Sequence, residues 1–255
     1  MTKKFKHSGA LGDLIYSLPI VKHFGGGEFY LHLNQIDWIG QYYYGSPPNP
    51  FHQGRMTQQD FEYMKSFINA QEYITKFDVM TNQTEITHNL DRFRVPFVGH
   101  PGNYVDIYSS VFNLTAEQAN AARTTPWLTV PNPRVIEGRT IVVNRTSRWT
   151  PPQLSPLWAE WKASGIEQKA VFVGLPDEYE AFKLTVGWDI PHVVTPTMLD
   201  LAEVIAGAEA FIGNQSQCLA LAIGLGKKYA CEQRRDLPQD RNECYFPGQP
   251  NSSYF

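Results

Sequence analysis

Two stretches of this sequence place glycines and short polar or acidic side chains where a predicted strand passes into a predicted helix. The first, residues 8–19, reads Ser-Gly-Ala-Leu-Gly-Asp-Leu-Ile-Tyr-Ser-Leu-Pro and puts Gly12 and Asp13 at the start of the helix. Backbone N–H groups and the positive end of the helix dipole face a ligand at such a turn. The spacing differs from GxGxxG, so dinucleotide binding is not the first inference.

Asp13 has two interpretations at this position. A carboxylate at a helix start is commonly an N-cap that accepts a hydrogen bond from a backbone N–H group. The functional alternative is a general base that takes a proton from a substrate hydroxyl group. Both interpretations predict a carboxylate close to the carboxyl end of the first strand.

The second stretch, residues 211–224, repeats the order of strand, glycine turn and helix in the other half of the chain. The turn and the first helical residue are Gly213, Asn214, Gln215, Ser216 and Gln217. Such a turn offers backbone N–H groups and short polar side chains to a diphosphate. Ser or Asn at a helix start is also an ordinary cap, so this stretch alone leaves both interpretations open.

The elements around these turns alternate between strand and helix. The chain opens with a predicted strand over 5–7, a helix that ends near Phe24 and a strand over 29–33. In the second half, strands are predicted over 140–143, 170–173, 192–194 and 210–212, and helices over 155–163, 178–184, 198–206 and 217–225. This alternation predicts parallel sheets covered by helices on both faces.

The middle of the chain marks a predicted domain boundary. Residues 124–138 contain three prolines and have no helical period. We therefore expect two Rossmann-like domains, residues 1–130 and 131–255. Residues 35–60 are rich in Tyr, Pro, Gly and Gln, which is typical of an irregular surface excursion. Further helices are expected over 58–70 and after Asn103.

Composition excludes several classes of protein. The formal net charge is −3 and the Lys and Arg residues are dispersed, which is unlike a nucleic-acid-binding surface. We expect no signal peptide and no integral membrane segment, because no apolar run is long enough. Three widely spaced cysteines indicate neither a disulfide framework nor a metal site and fit a reducing compartment. We expect a cytoplasmic monomer.

Five segments, in sequence order, resemble the bacterial heptosyltransferases, which form glycosyltransferase family nine. Residues 8–19 resemble the opening Ser-x-x-Leu-Gly-Asp turn of that family, which precedes a helix carrying a proline. The other four segments are residues 126–131, 141–149, 171–178 and 199–216. The resemblance implies the GT-B architecture: two Rossmann-like domains face each other across a cleft, the N-terminal one for the acceptor and the C-terminal one for the nucleotide-sugar donor.

The resemblance also implies roles for individual residues. Sugar transfer would proceed with inversion and without a metal or other cofactor, and Asp13 would deprotonate the acceptor hydroxyl. Arg148 or Arg145 would contact the donor diphosphate, and Glu178 would lie near the nucleotide ribose. The remaining donor or phosphate contacts would come from Gly12, Gly174, Gly213, Asn214, Gln215, Ser216 and Gln217.

The last turn departs from the family pattern Asp-Ser/Thr-Gly-x-x-His, because Gln215, Gln217 and Ala220 replace its acid, glycine and histidine. The donor sugar therefore stays open. The acceptor also stays open among a glycan, a lipid-linked saccharide, a small molecule and a modified nucleic-acid base. One alternative function is a catalytically inert nucleotide- or sugar-binding protein of this architecture. Another is a nucleotide-sugar epimerase, for which His88, His100 and Glu178 are candidate acid–base residues.

Overall fold

The computed structural model describes residues 2–34, 56–94, 102–234, 245–246, 249 and 251–255. The chain divides into two compact units. The first contains the residues up to Trp127 together with Tyr245, and the second contains those from Leu128 together with the residues from Phe246 onward. Most of the tyrosine- and proline-rich excursion, residues 35–55, lies outside the described residues, as does His100.

The first unit contains a parallel four-stranded sheet in the order β3-β2-β1-β4. Its strands are β1 Lys4–His7, β2 Gly27–Leu31, β3 Ile74–Val79 and β4 His88–Asn89. Its helices are α1 Leu11–His23, α2 Gln58–Asn69, α3 Tyr104–Val111 and α4 Ala116–Thr124, and a 3-10 helix, Leu90–Arg94, follows β4. Helix α1 is almost wholly buried from Leu14 to Val21, and α3 packs against it.

The second unit contains a parallel six-stranded sheet in the order β10-β9-β8-β5-β6-β7. Its strands are β5 Ile141–Asn144, β6 Ala170–Val173, β7 His192–Val193, β8 Ala210–Asn214, β9 Lys228–Glu232 and β10 Ser252–Tyr254. Its helices are α5 Leu157–Ala163, α6 Pro176–Val186, α7 Met198–Gly207 and α8 Gln217–Gly224.

Local sequence explains where most of these helices begin. Side-chain oxygens accept hydrogen bonds from backbone N–H groups at the starts of five helices, which satisfies donors that the helix itself leaves free. The capping residues are Thr57, Asn103, Thr115, Thr197 and Ser216. Helix α6 instead begins with Pro176, whose missing N–H group costs nothing at a first helical position.

Aromatic side chains fill the core of the second unit. Trp158 lies at its centre, with ring contacts to Trp188, Phe182 and Phe255 at centroid distances of 5.3, 5.7 and 5.6 Å. All these contacts are edge-to-face, an arrangement in which aromatic rings attract each other. Strand β10 therefore brings Phe255 back into the core of the sheet that β5 begins.

The α/β class expected from the sequence is confirmed, with two separate parallel sheets among the described residues. The predicted helices and strands of the second half are present with boundaries shifted by a few residues. Strands β3, β4, β9 and β10 and helix α4 were not predicted. Within the described residues no helix is both long and apolar enough to span a membrane.

Candidate functional site

Both glycine turns lie at the points where the strand order of a sheet reverses. In the first unit β2 and β4 lie on opposite sides of β1. In the second, the chain runs from β5 outward to β7 and then returns to place β8 on the other side of β5. Ligands of open parallel sheets bind outside the carboxyl ends of the strands at such points. The topology therefore identifies one candidate site in each unit.

In the first unit, Asp13 occupies the first turn of α1 but does not cap it. The N-cap residue is Ala10, so Asp13 is the third residue of the helix, and the interpretation of Asp13 as an N-cap is wrong. A negative charge in a first turn still interacts favourably with the helix dipole. The Asp13 side chain retains 21% of its full exposure, which leaves its carboxylate accessible to a ligand.

The carboxylate of Asp13 faces a buried guanidinium. Nη2 of Arg94 lies 3.7 Å from Oδ2 of Asp13, and Nη1 of the same side chain pairs with Oδ1 of Asp91. Arg94 comes from the 3-10 helix that follows β4, and Asp91 lies one turn before it. The two aspartates are 78 positions apart in sequence yet share one cation.

Asp91 is fully buried and organises the turn after β1. Its Oδ1 accepts hydrogen bonds from the backbone N–H group of Ser8 at 3.0 Å and from the Ser8 hydroxyl at 2.8 Å. Its Oδ2 lies 3.5 Å from the ammonium of Lys6. Burial acts to raise the pKa of Asp91, but the neighbouring basic side chains and the Ser8 hydrogen bonds outweigh it and hold the pKa below its ordinary value.

His7 connects the end of β1 to α3. The backbone N–H group of Gly9 donates to Nδ1 of His7 at 3.0 Å, so Nε2 carries the proton and donates to the Tyr108 hydroxyl at 2.8 Å. Tyr108 donates in turn to the carbonyl oxygen of Asp13 at 3.1 Å. Complete burial lowers the pKa of His7 to about 3, so the ring is neutral. The backbone of Asp13 is thus fixed independently of its carboxylate.

In the second unit, two asparagines end the strands that flank the reversal point. Asn214, at the end of β8, is fully buried, and its amide both accepts from the backbone N–H group of Thr146 at 2.9 Å and donates to the Thr146 carbonyl at 2.7 Å. Asn144, at the end of β5, donates to the carbonyl of Val173 at 2.9 Å. Side-chain oxygens and amides therefore tie together the loops that follow β5, β6 and β8.

Gly174 and Glu178 lie at the end of β6. Gly174 has a φ of +135°, and a Cβ there would lie 2.6 Å from Nδ2 of Asn144 and 2.7 Å from Oε2 of Glu178. Only glycine fits this conformation and this space. Glu178 accepts from the backbone N–H group of Leu175 at 3.1 Å. Burial raises its pKa and outweighs the opposing effects of the hydrogen bonds from Leu175 and Asn144.

The turn before α8 follows β8, on the other side of β5 from the strand that precedes Glu178. Gly213 lies opposite Asn144 in the β5–β8 register, and Gln215 follows β8. Ser216 caps the helix through the N–H group of Leu219, at 3.3 Å. Oε1 of Gln217 is buried without a hydrogen-bond partner. Burial, followed by the charge of Glu178, raises the pKa of the Cys218 thiol, which places Glu178 within electrostatic reach of the start of α8.

Of the two arginines proposed to contact the donor diphosphate, the structure describes the side chain of Arg145. Arg145 is buried, and its Nε donates to Oε2 of Glu232 at 2.6 Å, while Oε1 of that carboxylate accepts from the Trp158 indole at 2.9 Å. Arg145 also lines, with residues of α6, a cavity of about 190 Å³. Arg148 lies in the 3-10 turn Ser147–Trp149, and its side chain lies outside the described part of the structure.

Sequence reasoning missed Arg94, Asp91 and His7 in the first unit. The one available signal is the spacing of Asp91 and Arg94, three residues apart, which suits a helical ion pair. Gly12 lies in the first turn of α1, and a Cβ added there would meet no other side chain within 4 Å. In the part of the chain that the structure describes, no group of three His, Cys, Asp or Glu side chains is arranged to hold a metal ion.

Comparison with known proteins gives similarity in structure without similarity in sequence. No model of a protein family matches the chain, and no curated protein is similar to it in sequence. A family 9 glycosyl transferase from Veillonella parvula has a TM-score of 0.55 and 12% identity, over 99% of this chain and 84% of that one. The ADP-heptose LPS heptosyltransferase II of E. coli has a TM-score of 0.50 and 13% identity, over 100% and 90% of the two chains.

A third similar structure is the iron-containing dodecameric glycosyltransferase TibC from enterotoxigenic E. coli. It has a TM-score of 0.55 and 14% identity, over 97% of this chain and 61% of that one. At these identities the likeness defines the architecture. This chain has the two-sheet α/β fold of the family-nine glycosyltransferases.

Proposed function

We propose that this protein is an inverting glycosyltransferase that moves a sugar from a nucleotide-diphosphate donor to an acceptor hydroxyl group. The observation that carries the proposal is Asp13, a partly exposed carboxylate at the reversal point of the first sheet, paired with a buried arginine. A general base must be ionised and must be reachable by its substrate. The partial exposure of Asp13 makes its carboxylate reachable, and the guanidinium of Arg94 at 3.7 Å favours its ionised form. The fold shared with a family 9 glycosyl transferase supports the reaction class.

The mechanism follows from the roles of the two turns. Asp13 accepts the proton of the acceptor hydroxyl as the oxygen attacks the anomeric carbon of the donor. The bond from that carbon to the diphosphate oxygen breaks, and its electron pair leaves with the nucleoside diphosphate. Attack opposite to the departing group inverts the anomeric centre. Backbone N–H groups at the start of α8 stabilise the negative charge of the leaving diphosphate. We propose that no metal takes part.

The donor belongs to the second unit in this proposal. Glu178 follows β6 and the turn from Gly213 to Gln217 follows β8, at the carboxyl ends of the two strands that flank β5, which supports a nucleotide site there. Arg148 and Gly174 remain proposed donor contacts, and Gly12 remains one at the other turn. A protein of similar structure, the ADP-heptose LPS heptosyltransferase II of E. coli, supports the class of donor. The identities of sugar, nucleotide and acceptor stay open.

A nucleotide-binding protein without transferase activity is the second candidate. It is favoured by the turn before α8, where both the oxygen and the nitrogen of the Asn214 amide bond to Thr146 and the Ser216 hydroxyl caps the helix. Of the three residues named for an epimerase, His88 packs against Phe5, Phe24 and Phe112, and His100 lies outside the described residues. Glu178, whose pKa is raised by burial, is the candidate acid that the structure describes for that alternative. The buried free thiols of Cys218 and Cys231 support our proposal of a reducing compartment, the cytoplasm.

The first test is a thermal-shift screen against ADP, UDP, GDP and CMP and their sugar conjugates. A ligand at 100 times its dissociation constant stabilises the folded protein by about 2.7 kcal/mol, which is readily detected. The conjugate that binds is then used to measure release of nucleotide by the wild-type protein and by Asp13→Asn. We expect Asp13→Asn to keep its fold and its nucleotide affinity and to lose about 10²- to 10⁴-fold in turnover.

Asp106→Asn is the matched control, because Asp106 is also a first-turn aspartate paired with an arginine in the same unit. It should leave turnover close to that of the wild-type protein. If Asp13→Asn turns over at the wild-type rate, Asp13 is not the base. If the wild-type protein binds a nucleotide and releases none from any conjugate, the second candidate function replaces the first.

A further inference from the structure

We infer that Arg94 is the positioning residue of the reaction. It keeps the Asp13 carboxylate ionised and directed towards the acceptor, and Gly9 leaves the space that the Arg94 guanidinium occupies. This inference deepens the proposed function and rests on it. Arg94 lies outside the five segments that resemble the family-nine glycosyltransferases, and the three-dimensional structure places it beside Asp13.

The guanidinium of Arg94 is held from two sides. One nitrogen, Nη1, pairs with Oδ1 of Asp91, which is itself fixed by two hydrogen bonds from Ser8. The guanidinium carbon lies 4.6 Å from the ring centre of Phe93, where a cation is attracted to an aromatic face. With Nη1 engaged, Nη2 is the nitrogen that faces Asp13. The cation is therefore preorganised, and Asp13 is the partly exposed member of the pair.

Gly9 makes this arrangement possible. A Cβ built on Gly9 would overlap Nη2 of Arg94, the nitrogen that faces Asp13, and would crowd the guanidinium carbon at 2.8 Å. The other near neighbour of that Cβ is Cε1 of His7, at 3.3 Å. Gly9, in the turn between β1 and α1, therefore has a specific role in this chain. Any larger residue would push the Arg94 guanidinium away from the Asp13 carboxylate.

Charges around the pair favour an ionised Asp13. Burial acts to lower the pKa of Arg94, but the carboxylates of Asp91 and Asp13 outweigh burial and raise it, so the guanidinium stays charged. The other ionisable groups nearby are the neutral His7, the hydroxyl of Tyr108 and the ammonium of Lys6.

Helices α3 and α4, which pack against α1, carry an ion pair of their own. Asp106 of α3 and Arg123 of α4 bind each other at 3.0 Å, and the other charged side chain of α4 is the exposed Glu117. Arg94 is a cation in contact with Asp13, with its Nη2 3.7 Å from Oδ2. Loss of that cation makes a carboxylate hold its proton to a higher pH.

The test compares Arg94→Met, Arg94→Lys and Gly9→Ala with the wild-type protein. The Asp13 carboxyl carbon is followed by ¹³C NMR during a pH titration, with its signal assigned by its loss in Asp13→Asn. We expect Asp13 to titrate at a higher pH in Arg94→Met and in Gly9→Ala, and Arg94→Lys to restore most of the wild-type behaviour. Turnover should fall about 10- to 100-fold in Arg94→Met and in Gly9→Ala, with the donor KM unchanged.

Arg123→Met is the control, because it breaks an arginine–aspartate pair in the same unit that does not include Asp13. Arg94→Met removes a partner of Asp91 and could unfold the protein for that reason. Gly9→Ala keeps every charge, so it tests the effect of displacing Arg94 from Asp13 even in that case. An Asp13 signal that titrates alike in wild type, Arg94→Met and Gly9→Ala would overturn the inference. The titration needs no substrate, so a failure of the proposed transferase function is recognised separately, by absence of nucleotide release from the wild-type protein.

Discussion

Among individual residues, exposure separates the acids that stabilise this protein from the acid proposed to react. Asp91 and Glu232 are fully or almost fully buried, and each is neutralised by a basic side chain and further hydrogen bonds. Buried charges require such partners because their removal from water costs several kcal/mol. Asp13 shares a cation with Asp91 yet remains partly exposed. It therefore has room for a substrate, which the two buried acids lack.

Arg145 provides the prediction at this scale. We expect Arg145→Met to lower the free energy of unfolding by about 3–5 kcal/mol, because it leaves Glu232 charged and uncompensated in the core. The double variant Arg145→Met, Glu232→Gln should recover most of the loss, since glutamine keeps an acceptor for the Trp158 indole. Guanidinium denaturation of the three proteins measures both effects.

The same variants test the proposed donor contact of Arg145. If the arginine binds the diphosphate, nucleotide affinity stays low in the double variant even though stability has returned. If its role is the ion pair with Glu232, affinity returns together with stability. A single variant as stable as the wild-type protein would show that the ion pair contributes nothing measurable.

Among the elements, the sequence predicts those whose pattern is local. The glycine turn before Asp13, the apolar helix α1 and the alternation from β5 to α8 all appear in the structure with small boundary shifts. Strand β4 has two residues, too few to show any alternation, so neither it nor the 3-10 helix after it was predicted. Arg94 and Asp91 come from that segment. Half of the first candidate site therefore depended on a long-range pairing that no local pattern reveals.

His7, which connects β1 to α3 through Tyr108, gives a prediction about how the stability of the protein depends on pH. The folded-state pKa of His7, about 3, lies below the ordinary value of about 6.5 that holds in the unfolded chain. The unfolded chain therefore binds a proton first as the pH falls, and the contribution of His7 to stability is lost below pH 6.5. As the pH falls from 7 to 5, protonation of His7 in the unfolded chain lowers the free energy of unfolding by about 2 kcal/mol.

The measurement is the free energy of unfolding at pH 7 and at pH 5 for wild type and for His7→Gln, whose side chain is neutral at both values. The wild-type protein should lose more stability over this interval than the variant. Hydrogen exchange of the β1 amides assigns the loss to the first unit. Equal losses in the two proteins would mean that His7 is protonated in the folded state at pH 5.

At the scale of the whole molecule, the two sheets repeat one design with different side chains. Each has a reversal point, and each reversal point carries a glycine turn leading into a buried helix. The first turn presents a carboxylate held by a cation, which suits proton removal. The second presents backbone N–H groups at the start of α8, within electrostatic reach of the partly buried carboxyl of Glu178, which suits a nucleotide diphosphate and its ribose hydroxyls. We therefore propose that the acceptor binds at the turn of the first unit and the donor at the turn of the second.

That division gives the last prediction. When ADP, or whichever nucleotide the thermal-shift screen selects, is added to the full chain, backbone hydrogen exchange should slow at residues 144–149, 174–178 and 213–219. A ligand slows exchange where it stabilises the closed state of the amides that it contacts, and these segments surround one reversal point. The turn at residues 8–13 should be unaffected by nucleotide alone. Helix α2, which contributes to neither reversal point, serves as the internal control, and protection confined to the first unit would contradict the assignment of donor and acceptor.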